Sequence, residues 1–295
     1  MNQVILEVEN LSKSYKDKKI LDHISFKIKK GEIIALLGVN GSGKSTLINI
    51  LNQLIVKNEG TISLFCKRII KESREKIGVM LQHDFSLNKI KVNELLRLVR
   101  SYYKTPLAYQ TLLQLANLQE EENSYMTHLS GGKRRRLNFA IAMAGDPQLI
   151  FLDEPTAGMD SYSRKLFWQT IEEFKQAGKT FFVTSHYLEE LDSISDHVLI
   201  LKNTKLVYDG SLQELRQQKG NFIIKFTTKL PRAIFEDFSA VKKIWLNQDH
   251  YQLITEEPNI LFADLNPYVK SLNELTVERS SLESFIYEIN KETNK

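Results

Sequence analysis

Covalent cross-links and membrane-spanning runs are missing from this chain of 295 residues. Its one cysteine, Cys66, forbids an internal disulfide and fits a reducing compartment. No apolar run is longer than Ile33 to Val39, counting Gly38, which falls far short of the about 20 residues that a membrane helix needs. The opening Met-Asn-Gln-Val-Ile-Leu-Glu-Val-Glu has no basic region and places Glu7 and Glu9 where a signal peptide is apolar. These absences predict a cytoplasmic protein. A strong excess of one charge is lacking too: 40 Lys/Arg against 36 Asp/Glu leave +4, which does not by itself call for nucleic acid. Glycine is absent from one end, because all 13 lie in the first 220 residues. Residues 221–295 also carry nine basic against eleven acidic side chains, while the first 220 carry 31 against 25. A composition break near Gly220 predicts two domains, as the length does at about 150 residues per domain.

What is present is ordinary globular composition, 42% hydrophobic and 26% charged. Val4 to Val8 alternates as an antiparallel strand would, and residues 20–28 are rich in strand formers. Ile33-Ile34-Ala35-Leu36-Leu37 is a short apolar run suited to a strand buried on both faces. The spacing of Leu47, Ile50, Leu51 and Leu54 predicts a helix after it, and residues 60–82 read as further strands. From 84 to 145 the pattern is helical, with Val92, Leu95, Leu96 and Val99 on one face and Leu112, Leu113, Leu115 and Leu118 on another. Short apolar runs return at 149–152, 181–183 and 198–201, alternating with helices. The fold class is α/β: a mostly parallel sheet, antiparallel N-terminal strands and a helical insertion at about 84–145. Beyond 220, Phe222–Phe226 and Tyr251–Ile254 read as strands. Pro231–Phe238 and Asn266–Leu272 read as helices, and Ser280 to Glu283 carries a capping-box pattern. A small α+β C-terminal domain is expected at 216–295, after a main domain at 1–215.

Three motifs carry chemistry. Gly38-Val39-Asn40-Gly41-Ser42-Gly43-Lys44-Ser45-Thr46 satisfies every fixed position of a P-loop, between a buried strand and a helix. Its glycines let backbone N–H groups face phosphate oxygens, and the following helix adds its positive end. Lys44 supplies a charge for the β/γ-phosphates and Ser45 a hydroxyl for Mg²⁺. Next, Leu149-Ile150-Phe151-Leu152-Asp153-Glu154 sets two carboxylates at the C-terminal end of a core strand, where open α/β sheets bind ligands. Asp153 suits Mg²⁺ binding through water, and Glu154 suits polarising an attacking water. Last, Ser130-Gly131-Gly132 exposes backbone amides at a helix start, a second phosphate-binding shape.

In order and spacing these motifs resemble the nucleotide-binding subunit of ATP-binding-cassette (ABC) transporters over residues 1 to about 215. That family's Leu-Ser-Gly-Gly-Gln signature stands here as Leu129-Ser130-Gly131-Gly132-Lys133. The resemblance implies a P-loop ATPase using ATP and Mg²⁺. Gly38, Asn40, Gly41, Ser42, Gly43, Lys44, Ser45 and Thr46 would cradle the phosphates and Tyr15 would stack on adenine. Ser45, Gln82 and Asp153 would surround the metal, and Glu154, Gln82 and His186 would serve hydrolysis. Ala157 to Asp160 looks like the family's D-loop. Ser130, Gly131 and Gly132 would complete the phosphate cage of a second subunit, in a homodimer or beside another ATPase subunit. A separate transmembrane permease subunit is implied, docking near Gln82 and residues 83–100 and holding this chain at the cytoplasmic face of the membrane. The stretches Thr184 to Asp192, Asp196 to Ile200, Asp209 to Leu215 and Ser281 to Phe285 are similar to bacterial drug and antimicrobial-peptide exporters. An importer ATPase with a ligand-sensing tail, or a soluble ABC ATPase, remains open at this point. The basic run Lys133 to Arg136 is expected to face triphosphate or solvent, and no nucleic-acid partner is expected.

Overall fold

Alternation over Val4–Val8 opens a strand that runs on to Tyr15: β1 (Val4–Tyr15) folds back through a tight turn into β2 (Lys18–Lys29). The two pair antiparallel from Val4 opposite Lys29 to Tyr15 opposite Lys18. In the computed structural model the described residues are 3–65, 67–68, 74–82, 87–185, 187–219 and 222–279. Cys66, His186, Gly220 and the capping-box pattern at 280–283 lie outside them. β4 (Glu59–Leu64) joins the other edge of β1, also antiparallel, and β5 (Lys67–Arg68) follows it.

The run at 33–37 forms β3 (Ile33–Leu37), buried at all five positions as a strand covered on both faces must be. It pairs parallel with β8 (Thr180–Thr184) and β9 (His197–Lys202). β7 (Leu149–Asp153) pairs parallel with β8 and with β6 (Ile77–Met80), and β10 (Lys205–Ser211) ends the sheet in the order β10-β9-β3-β8-β7-β6. Leu21, Phe26 and Ile28 of β2 share one core with Leu36, Phe151, Phe182 and Leu199. The Phe26 and Phe182 rings lie 6.2 Å apart across the two sheets. α1 (Lys44–Leu51) sends Leu47, Ile50 and Leu51 into the protein, while Leu54, beyond its end, is 59% exposed.

The insertion holds α2 (Val92–Ser101), α3 (Tyr109–Ala116) and α4 (Gly131–Met143). Val92, Leu95 and Leu96 pack with Leu112, Leu113 and Leu118 in a core of their own, edged by half-buried Val99 and Leu115. α5 (Ser161–Gln176) follows β7, and α6 (Leu188–Ile194) lies between β8 and β9.

The chain divides into two compact units, Met1–Gly210 and Ser211–Lys295. The second opens with α7 (Leu212–Lys219). It continues as β11 (Phe222–Thr227), α8 (Ala233–Glu236), β12 (Lys243–Asn247), β13 (His250–Thr255), α9 (Pro258–Leu265) and β14 (Asn273–Arg279). The strand order β12-β13-β11-β14 makes a split βαββαβ sheet, antiparallel throughout. Ile224, Phe226, Tyr251 and Leu253 alternate onto one face and meet Phe235, Leu261 and Leu265 of the helices. Two sequence expectations change here. The helix expected at Pro231–Phe238 shrinks to one turn, and Asn266–Ser271 is a 3₁₀ helix.

Candidate functional site

The P-loop, Gln82, Asp153 and Glu154 collect at the C-terminal ends of β3, β6 and β7, the side of a parallel sheet where loops face a ligand. β3 runs straight into the P-loop, whose tightness depends on glycine. Gly38 lies at φ +153, and a Cβ there would sit 2.5 Å from the Leu201 carbonyl oxygen and 2.5 Å from Ser42 Oγ. Gly43 adopts φ +104, where a Cβ would approach Leu21 Cδ2 to 2.9 Å. Gly43 also caps α1, which has no side-chain cap and no acidic residue in its first turn. Its positive end is therefore not neutralised from within the helix. Lys44 curls back over the loop, donating from Nζ to the Gly38 carbonyl at 2.7 Å and the Val39 carbonyl at 3.2 Å. Burial lowers its pKa, and the charges of Glu154 and Asp153 oppose that shift.

β7 ends on Asp153, and Glu154 then turns into the left-handed region at φ 53. Its backbone N–H donates to Thr184 Oγ1 at 3.1 Å and to the Thr184 carbonyl at 3.2 Å. The Thr184 hydroxyl in turn donates to Asp153 Oδ1 at 2.5 Å. Both carboxylate residues are buried, Asp153 to 6% exposure and Glu154 to 5%. One cavity of about 500 Å³ is lined by Asn40, Gly41, Gly43, Lys44, Ser45, Thr46, Gln82, Asp153 and Glu154, with Lys18 and Ile20 from the start of β2.

Tyr15 is not in that lining. It ends β1, 46% exposed, with the Lys13 ammonium 4.9 Å from the centre of its ring. Ser130 caps α4, its Oγ accepting from the Lys133 N–H at 3.4 Å, and Gly131 and Gly132 form the first turn. Gly132 lies beside Gly158 and Met159 of the loop after β7. Lys133, which stands for the signature Gln, pairs through Nζ with Glu121 of the insertion.

The sequence reading missed the role of Arg135. Far from facing triphosphate or solvent, Arg135 is 2% exposed. Its Nη1 donates to the Leu81 carbonyl at 3.1 Å, and Nη2 to the Asp153 and Glu154 carbonyls at 3.3 and 2.5 Å. One guanidinium from the signature helix thus bonds the backbone beside Gln82 and at both carboxylates. The signal was its place in the sequence, five residues beyond Ser130, but a run of four cations conceals which one turns inward.

A metal fits the donor set in one particular way. Among the described residues no group of three or more His, Cys, Asp or Glu gathers, so no all-protein cage exists. A hydroxyl, an amide and a carboxylate on one cavity wall suit Mg²⁺, which keeps waters and takes phosphate oxygens as ligands.

The ABC transporter family profile matches residues 21–157. The Nod factor export ATP-binding protein I of Sinorhizobium fredii is 34% identical over 242 residues, covering 79% of this chain and 71% of that protein. The chain belongs to the ABC transporter family. As an ABC ATPase subunit it has a second relative of the same name in Burkholderia orbicola, 31% identical over 82% of this chain and 83% of that protein. Among solved structures, an ATP-binding subunit of an ABC transporter is 27% identical with a TM-score of 0.67, covering 72% of this chain and 92% of that one. A dimeric ATP-binding cassette in a post-hydrolysis state, bound to ADP and Pi, is 25% identical with a TM-score of 0.64, covering 70% and 99%. The protein is thus an ATP-binding ABC ATPase, with a P-loop α/β cassette followed by a small α+β unit. No described helix is long and apolar enough to cross a membrane.

Proposed function

We propose that this ABC ATPase hydrolyses ATP at the cavity between its P-loop and Glu154 and powers export through a separate membrane subunit. One observation carries the catalytic part: Lys44, Ser45, Gln82, Asp153 and Glu154 line a single cavity. The names of the relatives support export, since each is an export ATP-binding protein. Residues 1–215 serve as the ATPase domain and 216–295 as an accessory domain.

The P-loop glycines and the start of α1 hold the phosphates of ATP, and Lys44 leaves its loop carbonyls to meet them. Tyr15 stacks on adenine. Ser45, Gln82 and Asp153 hold Mg²⁺, which when bound neutralises phosphate charge in the transition state. Glu154 polarises the attacking water, in a backbone position set by Thr184 and Arg135. His186 serves hydrolysis as the family's switch histidine. Ser130, Gly131 and Gly132 complete the phosphate site of a second subunit, so that closure excludes water and adds donors to developing charge. The subunit then works at the cytoplasmic face of the membrane, bound to its permease.

Glu154→Gln tests the reading. The amide keeps size and hydrogen bonding but cannot polarise water as a carboxylate does. ATP turnover should fall at least about a hundredfold while ATP binding survives. The trapped nucleotide should also hold the variant as a dimer on size exclusion with Mg²⁺-ATP. Near-normal turnover would remove Glu154 from the reaction. Copurification of the tagged chain with an integral membrane protein tests the export partner.

A further inference from the structure

Glu190 lies outside the cavity, yet its carboxylate is divided among three side chains. Oε2 accepts from Thr156 Oγ1 at 3.0 Å and from Trp168 Nε1 at 2.8 Å. Oε1 pairs with Arg164 Nε at 3.0 Å. Thr156 is two residues beyond Glu154 and 1% exposed, so its hydroxyl faces the protein interior. Trp168 and Arg164 belong to α5, whose N-cap Asp160 ends the Ala157–Asp160 loop. Glu190 itself stands in the first turn of α6, four residues beyond His186.

The clasp has a second finger. The Arg164 guanidinium that pairs with Glu190 also lies 4.3 Å from the centre of the Tyr187 ring, next in sequence to His186. On the other side of His186, the Ser185 hydroxyl accepts from the Tyr187 N–H at 2.9 Å, and Thr184 is tied to Asp153 and Glu154. Thr184 is therefore fastened to the strand end that carries the carboxylates, and Tyr187 to α5.

A surface ion pair would contribute little. This carboxylate is instead only 15% exposed at the side chain and takes three donors, so its geometry is over-determined. Nothing in that arrangement reaches the cavity, and the effect on chemistry must pass through other residues.

We propose that Glu190 is a positioning residue for ATP hydrolysis. It yokes the start of α6 to Thr156, two residues beyond Glu154, and to the helix that follows the Ala157–Asp160 loop. The proposal rests on the roles given above to Glu154 and His186. A displacement of about 1 Å at a reacting group costs up to two orders of magnitude, so loosening this yoke reads out in turnover and not in nucleotide affinity.

The experiment is steady-state ATPase kinetics on the full chain, with thermal unfolding as a control for folding. Thr156→Val removes one donor at constant shape, and Thr156→Ser keeps it. Glu190→Gln removes the charge and one of the shared acceptors. Thr156→Val and Glu190→Gln should each lower kcat about tenfold with KM for ATP changed by less than about twofold. Thr156→Ser should restore kcat, and the double variant should be no slower than Glu190→Gln alone, since both act on one unit. Unchanged kcat in Thr156→Val, equal loss in Thr156→Ser, or effects that multiply in the double variant would each overturn the proposal. If Glu190→Gln fails to fold, the Val and Ser pair at 156 decides alone. Glu154→Gln and His186→Ala run in the same assay separate the two levels. Normal turnover there defeats the site reading. Loss of turnover there with normal Thr156→Val defeats only the role of Glu190.

Discussion

Lys44 is held between opposing influences. Burial against its own loop lowers its pKa, and the nearby charges of Glu154 and Asp153 pull the other way. For a base whose folded value is lowered, the sign runs against stability at neutral pH. The unfavourable charge burial is complete below the folded value and is relieved as pH rises toward the value of an exposed lysine. A triphosphate reverses that balance by adding negative charge beside the ammonium. At alkaline pH, ATP binding should therefore take up a proton, seen by calorimetry as a dependence of binding enthalpy on buffer ionisation. Lys44→Ala should lose both the uptake and tight binding, and unchanged affinity would overturn the phosphate role of Lys44. Glu154 shows a different tension at the same scale. A non-glycine residue at φ 53 stores about 1 kcal/mol or more, and the hydrogen bonds from its N–H to Thr184 and from Arg135 to its carbonyl hold it there.

At the scale of elements, α4 and α5 position the cavity more than they line it. α4 is buried almost all round, by Leu137, Asn138, Phe139, Ala140 and Met143 as well as Arg135, so it has no clean apolar stripe. Arg135→Met keeps the stem but removes every donor to the Leu81, Asp153 and Glu154 carbonyls. The variant should lose roughly 1–3 kcal/mol in urea unfolding, with ATP turnover reduced beyond the loss of folded protein. α5 is capped by Asp160, which accepts from the Ser163 N–H at 2.9 Å and the Ser163 hydroxyl at 2.7 Å. Those bonds, the hydroxyl first, lower its carboxyl pKa. Its capping contribution is then present above the unfolded carboxylate value and lost as pH falls through the lowered folded value. The difference in melting temperature between the native protein and Asp160→Ala should shrink over that acid range; a constant difference would count against the cap. Elements of this kind also mark the limit of legibility. The P-loop and the Asp153–Glu154 strand end were readable because each motif is local and its chemistry dictates its spacing. Arg135 and Glu190 were not, because their partners lie 18 to 54 and 22 to 34 residues away. The second unit was readable as α+β, with strands at β11 and β13, but not in its other elements. β12 and β14 expose much of their apolar content and so lack a clear alternation, and α9 begins at Pro258, which interrupts the pattern that precedes it.

Over the whole molecule, the hydrophobic interiors of the two units matter more than any single bond. The first unit has one core between the N-terminal sheet and the parallel sheet and one within the helical insertion, and the second unit's core is built on Phe226, Phe235, Tyr251 and Leu253. Every residue lining the cavity at the P-loop falls within Met1–Gly210. Removing residues 216–295 should leave a folded protein that still binds ATP, measured by calorimetry. An insoluble or nucleotide-blind truncation would place the tail within the ATPase fold. Separate interiors also bear on what a melting curve of the intact chain means. A chain of two compact units need not unfold in one cooperative step, and a single midpoint then averages unlike events. Scanning calorimetry should resolve two endotherms. A ligand raises only the transition of the unit that binds it, by about 2.7 kcal/mol at a hundredfold excess over its dissociation constant. Mg²⁺-ATP should therefore move one peak up in temperature and leave the other where it was, and the peak that stays belongs to the βαββαβ unit.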